Sequence, residues 1–309
     1  MSSATGLILV TGSTGFVGRN LVRELVGRGK RVRALVHHAS KLGPLQGLPL
    51  ETAEGDVTDL ASLRQAVRGV EKVVHLVAVI REKGEATFEN INLRGTVNLL
   101  TACREAGVKH FVFMSNVGAG LDPRFPFFYS KGRAEEEVKA SGIPYTIFRS
   151  SLMFGEDDEF TVTLAKLVRQ MLIVPIVGSG KTRFQMIWVK DTARCLAMAL
   201  EDDRTLGKTI PIGGPEHLSY DEIVDVIIQT LGARRVKVHV PLFVMRPMVW
   251  LMERFLSRPP ITSGQLAMLA LDNITELDAV ERAFGFKPTS LREGIGYLRR
   301  ALPQKGSFL

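Results

Sequence analysis

Cysteine is nearly absent. Cys103 and Cys195 stand alone, without the paired spacing of a zinc site or the even count of a disulfide framework. That scarcity fits a reducing compartment. No apolar run approaches the ~18 residues a membrane-crossing helix needs. Residues 1–6 place no basic segment ahead of an apolar one, and residues 7–10 are too few for a signal-peptide core. The expectation is a cytoplasmic protein. Aromatic-rich basic stretches are missing as well. The net charge of +8 is scattered, apart from residues 28–33 and 287–305, so nucleic acid is not expected as a partner. An anionic membrane surface or a protein partner remains open on that charge. The triplet Asn273-Ile274-Thr275 matches a glycosylation acceptor by chance only, given no secretion.

What is present is the composition of an ordinary globular chain, 45% hydrophobic and 23% charged over 309 residues. The first half alternates short β-branched runs with amphipathic segments. Strands are expected at 7–10, 31–36, 50–53, 73–77, 110–114 and 145–148, with helices at 17–28, 60–67, 92–106 and 130–140. Val17, Leu21, Val22, Leu25 and Val26 recur on one helical face, and Gly27 and Gly29 stop that helix. Six strands with five crossovers imply an α/β fold, a doubly wound parallel Rossmann sheet. Residues 1–150, together with about 185–212, are expected to form that domain, and 151–309 a smaller, mainly helical C-terminal lobe. In the lobe Ser219 and Glu222 are spaced as a capping box, and Asp191 should support the start of a helix over 192–200.

Between the first strand and helix lies Thr11-Gly12-Ser13-Thr14-Gly15-Phe16-Val17-Gly18. Gly12 suits a tight turn, Gly15 lets backbone approach a pyrophosphate, and Gly18 lets the helix pack closely. The helix start then offers free N–H groups and partial positive charge to phosphates. This spacing resembles that of the extended and atypical short-chain dehydrogenase/reductases, the epimerase/dehydratase-like group. Other stretches agree. Gly55-Asp56-Val57-Thr58-Asp59 resembles the segment whose acid, here Asp56, bonds the adenine amino group. His75-Leu76-Val77-Ala78 resembles the strand end lying against the cofactor. Asn92, Gly95, Thr96 and Asn98 resemble the helix-four signature, and Arg149 to Gly155, including Ser151, the stretch passing the nicotinamide, with Ser150 replacing the usual proline. The resemblance runs from about Gly6 to Glu222. It is strongest to the atypical branch containing a nucleotide-binding accessory subunit of respiratory complex I. It implies cofactor contacts from Gly12, Thr14, Gly15, Phe16, Val17, Gly18, Asp56, Val57, Ala78, Lys131 and Ser151.

The end of the second strand argues for NADP(H) over NAD(H). No acid lies between Arg31 and Lys41 to hold ribose hydroxyls, whereas His37, His38, Ser40 and Lys41 are placed to meet a 2′-phosphate. The resemblance also implies a catalytic Tyr four residues before a Lys, and here two registers compete. Aligning Ser130-Lys131 and Ala134-Glu135 puts Phe127 in the Tyr position. Aligning Tyr129 instead puts Arg133 in the Lys position. Phenylalanine has no titratable proton, and arginine does not deprotonate. Tyr129 and Lys131, two residues apart, face different sides of a helix. Ser115, after the fifth strand, is the candidate third catalytic group. No metal-ligating cluster is evident.

Some patterns carry no function. Gly178-Ser179-Gly180-Lys181-Thr182 would complete a nucleoside-triphosphate loop only with glycine at position 175, where Pro175 stands. Glu135-Glu136-Glu137 and Asp221-Glu222 lack a partner histidine and are expected on solvated helix faces. The stretch from Pro241 to Pro259 differs. Its helix, expected to start with Pro247 in the first turn and to end near Leu256, is apolar on nearly every side. It is either a buried lobe helix or an adapter for a membrane surface or a membrane-bound partner complex. The expected function is a dinucleotide-binding accessory or sensor protein, cytoplasmic and peripheral to a membrane. The alternative is an active reductase, epimerase or dehydratase.

Overall fold

The computed structural model describes residues 6–37, 42–256 and 261–301. The chain opens with β1 (Leu7–Thr11), α1 (Phe16–Gly27), β2 (Val32–Val36), β3 (Glu51–Glu54), α2 (Leu60–Ala66) and β4 (Val70–His75). It continues through α3 (Gly95–Glu105), β5 (His110–Asn116), α4 (Pro126–Ala140) and β6 (Tyr145–Ser150). Then come β7 (Met153–Phe154), α5 (Glu159–Gln170), β8 (Ile173–Val177), β9 (Arg183–Phe184) and β10 (Ile187–Trp188). After these follow α6 (Val189–Ala199), β11 (Lys208–Ile212), β12 (Leu218–Ser219), α7 (Tyr220–Thr230), β13 (Val236–Val240), α8 (Leu242–Phe255) and α9 (Ser263–Met268). Contacts divide the chain into two units, 1–150 with 189–212, and 151–188 with 213–309.

The first unit holds a seven-stranded sheet in the order β11-β6-β5-β4-β1-β2-β3. Every neighbouring pair is parallel, so each connection crosses over a face, and the fold is the expected doubly wound Rossmann sheet. The seventh strand, β11, was not evident in the sequence; Pro211 interrupts its short apolar pattern, yet it pairs with β6 at the sheet edge, where proline is tolerated. Leu9, Leu63, Val73, Leu99, Phe111 and Phe113 fill one core. Chain order reverses between β1 and β4, and the crevice at the carboxyl ends of those strands is where such sheets bind ligands.

Three helix starts in this unit differ from expectation by three residues or more, among them α6, which begins at Val189 rather than at 192. α4 begins at Pro126, four residues earlier than the apolar pattern suggested, because proline supplies helical φ and has no N–H to leave unpaired in a first turn. α3 is preceded by a π-helical turn, Phe88–Arg94, rather than starting at Asn92.

In the second unit, Phe154, Val168, Ile176, Phe184, Ile223 and Leu291 form a separate core. The capping box of Ser219 and Glu222 is present at the start of α7. Short two-stranded sheets, β7–β10, β9–β12 and β8–β13, accompany the helices. Asp221 does have a histidine nearby: His239 Nε2 lies 3.3 Å from Oδ1, which also faces Lys237 at 3.1 Å. Pro247 is not in the first turn of α8 but inside it, since the helix starts at Leu242. Pro259, like Ser257 to Pro260 as a whole, lies outside the described residues. No helix among the described residues is long and apolar enough to cross a membrane.

Candidate functional site

The glycine turn joins β1 to α1 with three separate constraints. Gly12 has φ +67°, and a Cβ there would meet the backbone of Leu76 and Val77 at 3.2 Å. A side chain would therefore push β1 away from the exit of β4. At Gly18 an added Cβ would lie 2.1 Å from the Gly12 carbonyl oxygen, so α1 packs on the turn only without one. Gly15 is exposed and caps α1 with extended backbone and no side-chain hydrogen bond. The first helical bond runs from Arg19 N–H to the Gly15 carbonyl. The amides of Phe16, Val17 and Gly18 thus lack intrahelical acceptors, and no acid occupies the first turn. This is an anion cradle by construction. Ser13 fixes it to β2 by donating to the Leu35 carbonyl, while Thr14 is half-buried.

Beneath the turn runs a chain of buried hydrogen bonds that sequence reading did not find. Thr11 Oγ1 lies 2.7 Å from His75 Nδ1, and His75 Nε2 lies 3.1 Å from Thr96 Oγ1. Thr96 gives its own proton to the Asn92 carbonyl, so it must accept from His75. His75 therefore carries its proton on Nε2 and accepts from Thr11 at Nδ1. Burial, and then the charge of Lys131, push the His75 pKa down to about 3, keeping the ring neutral. Asn92 extends the chain, accepting from Val79 N–H and donating to the Val79 carbonyl and to Ser130 Oγ. Ser130 finally donates to the Phe127 carbonyl. The tip of β1 is so tied to the first turn of α4, through a π-helical turn of the kind that often marks functional sites.

Lys131 follows in α4. It is 2% exposed, with Nζ 4.2 Å over the Phe113 ring, and makes no hydrogen bond or ion pair among the described residues. Burial pushes its pKa down to about 7, against a smaller opposing pull from Glu135. An ammonium held this way is costly unless a ligand completes its shell. Phe127, one turn earlier, is also buried and meets Phe88 edge-on at 5.9 Å. Tyr129 and Arg133 form the other one-turn pair: Arg133 lies 5.8 Å from the Tyr129 ring and bonds Glu89 at the exposed side of the helix. Ser115 is fully buried and donates to Glu135 Oε1 at 2.5 Å. Glu135, expected on a solvated face, is itself fully buried and held by a two-pronged contact from Arg149. The apolar-face count missed this because helix and sheet enclose it together with its counter-ion.

Just beyond β3, Asp56 Oδ1 accepts from both the amide and the hydroxyl of Thr58, and Oδ2 lies 3.1 Å from His37 Nδ1. Burial would raise the Asp56 carboxyl, but the Thr58 bonds and His37 outweigh it and hold it below the usual range. Val57 is buried against Gly95, where a Cβ would sit 2.8 Å from its methyl. Its carbonyl accepts from Asn98. Ala78 is exposed just beyond β4. His38, Ser40 and Lys41 lie outside the described residues. Ser151, in the second unit, donates its hydroxyl to the Gln185 carbonyl of the same unit. No group of metal-type ligands occurs among the described residues.

The model of the NAD dependent epimerase/dehydratase family matches residues 8–213, and the chain belongs to that family. It is 30% identical to subunit 9 of the NADH dehydrogenase [ubiquinone] 1 alpha subcomplex, mitochondrial, of Mus musculus, over 97% of this chain and 81% of that protein. It is 28% identical to the 2-alkyl-3-oxoalkanoate reductase of Stenotrophomonas maltophilia, over 94% and 98%. Among solved structures, the dTDP-glucose 4,6-dehydratase DesIV of Streptomyces venezuelae, crystallised with NAD, superposes with a TM-score of 0.74 at 22% identity, covering 96% of both chains. That likeness concerns the fold.

Proposed function

We propose that the first unit binds NADP(H) in preference to NAD(H), and that the protein serves as a cofactor-carrying accessory or sensor component of a membrane-associated complex. The observation that carries the reading is the pairing of an uncapped α1 amino terminus with a buried, unpartnered Lys131 ammonium. Both are open demands that one dinucleotide would meet. The amides of Phe16, Val17 and Gly18 would hold the pyrophosphate, Asp56 and Val57 the adenine, and Lys131 the nicotinamide ribose. Ala78 would line the path between. His37 would meet the 2′-phosphate, with His38, Ser40 and Lys41 assigned to it from the sequence. When bound, the nicotinamide supplies or accepts hydride.

The chain's own proton chemistry is poor. Phe127, one helical turn before Lys131 and buried with it, has no hydroxyl. Ser115 already spends its proton on Glu135. Binding is therefore retained while the usual acid–base step is lost. Relatives described as an NADH dehydrogenase subunit support the accessory role. Fluorescence titration with NADPH and NADH tests the reading: NADPH should bind more tightly, and no carbonyl-dependent oxidation of bound NADPH should appear. Equal affinities sink the cofactor preference.

A second reading, an active reductase, epimerase or dehydratase, rests on the Tyr129–Arg133 pair and on the reductase relatives. Arginine's fixed charge could depress a neighbouring Tyr pKa. Robust wild-type turnover that vanishes in Tyr129→Phe would establish this reading instead.

A further inference from the structure

We infer that the second unit carries a docking surface for an anionic lipid bilayer, built on α8 and the outer face of the β8–β13 ribbon. A helix buries one face and leaves the other polar when it only serves a core. α8 does otherwise. Val249 alone in it is fully buried, while Phe243 and Phe255 are each 76% exposed and Trp250 63%. At about 100° per residue, the exposed apolar side chains from Trp250 through Phe243 to Met248 cover an arc of roughly 160°, opposite the buried side. The ribbon adds to it. Ile173 pairs with Val236, and Val238 follows two residues on, so these three point to one face. All three are exposed, whereas Val174 and Ile176 on the other face are buried in the core. α8 leaves β13 across Pro241 alone.

Charge identifies the occupant. Residues 234–256 contain five basic side chains, Arg234, Arg235, Lys237, Arg246 and Arg254, and one acid, Glu253. Glu253 is occupied by the amide and hydroxyl of Ser263. Lys237 is paired with Asp221 and Asp225, and Arg235 donates to the Val168 carbonyl. Arg234, Arg246 and Arg254 have no ion pair among the described residues. Arg254 falls inside the apolar arc, only about 20° from Phe243 at helical spacing. In the dry centre of a protein interface it would be an unpaired buried charge. On a bilayer its stem lies along the acyl boundary and its head reaches phosphate. Trp250 has the amphipathic ring that settles at that boundary. At 14 residues α8 is too short to span, so it would lie in the plane.

Vesicle flotation of the full chain tests this, comparing vesicles of phosphatidylcholine alone with vesicles that also contain phosphatidylglycerol. Wild type should float with the anionic vesicles at low salt and lose about tenfold in partitioning in the double variant Phe243→Glu, Trp250→Glu. The pair Arg246→Glu, Arg254→Glu should abolish the preference for phosphatidylglycerol. Trp250 emission should shift to the blue on binding, read in a Trp188→Phe background. Cooperative urea unfolding establishes that each variant folds, independently of any nucleotide. Wild type remaining with the unbound fraction at low salt, or variants floating equally well, overturns the proposal. So does a self-associated chain that the same substitutions dissociate, which would make the face a contact between copies.

Discussion

One buried hydrogen-bond chain runs from Thr11, where the glycine turn into α1 begins, to the first turn of α4, yet the two ends meet opposite standards. At α1 all three glycines of the turn are constrained: Gly12 by a positive φ, Gly15 by the Gly12 carbonyl 3.1 Å from where a Cβ would sit, and Gly18 by closer backbone contact. At α4 Lys131 is buried without a polar partner among the described residues, and the side chain one turn earlier, Phe127, has no hydroxyl. On the proposed reading, backbone that cradles a ligand and side chains that move protons are separable, even when one set of hydrogen bonds positions both. What binds here depends mostly on atoms every residue has. What reacts depends on a few that substitution removes.

Breaking the α1 side should have the largest effect. Gly18→Val forces a Cβ into the Gly12 carbonyl, and because that neighbour is backbone, α1 must move. We expect a stability loss of about 3 kcal/mol, as for severe overpacking, measured by urea unfolding. Saturable NADPH binding should disappear in the same variant. A variant that folds and still binds would show that close packing here is not needed for the cradle.

Lys131→Met should act in two directions at once. NADPH affinity should fall about tenfold or more, as for a lost charged hydrogen bond. The ligand-free protein should become more stable. Lys131 titrates near 7 when folded, against an ordinary 10.5. Between those values the unfolded chain holds a proton that the native one does not, so wild-type stability rises with pH across that interval. Below pH 7 the full cost of the buried charge remains. The advantage of the methionine variant should therefore be largest below pH 7, of the order of a few kcal/mol, and shrink toward pH 10. Urea midpoints at a series of pH values check the sign.

His75→Leu attacks the link between the two turns. It leaves Thr11 and Thr96 without their partner, which should cost about 2 kcal/mol. Wild-type His75 is held near pKa 3 by burial and by Lys131. Its share of stability is present above the ordinary histidine value and is lost as pH falls from there toward 3. The variant should consequently be less acid-sensitive than wild type, a slope readable in acid unfolding curves. Phe127→Tyr should do least. NADPH affinity should stay within about twofold and turnover should remain absent, because Ser115 is still committed to Glu135. Carbonyl reduction appearing in this variant would show that one hydroxyl was all that α4 lacked.

These contrasts also explain what could be foreseen. The strand–glycine turn–helix pattern was legible because its constraints are local and repeat in sequence order. The hydrogen-bond chain was not. Thr11, His75, Thr96 and Ser130 look like ordinary polar residues until the parallel pairing of β1 with β4 brings Thr11 opposite His75. Glu135 misled for a related reason: its neighbours in sequence, Glu136 and Glu137, suggest solvent, while its partners Ser115 and Arg149 come from β5 and β6. The apolar excess of α8 was readable from composition, but where the helix begins was not, since proline is normal in a first turn and costly further in.

That misplaced proline limits how anything can cover α8. Pro247 has no N–H to offer the carbonyl of Phe243, four residues earlier in the helix. One strong acceptor therefore lacks its ordinary helical donor, on the residue that carries one of the most exposed rings of the unit. Hydrocarbon cannot satisfy it, and leaving it dry would cost several kcal/mol. Any covering layer must bring a donor to that spot or stop short and leave it wet. The helix thus carries its own depth stop, which favours shallow, reversible contact over full immersion.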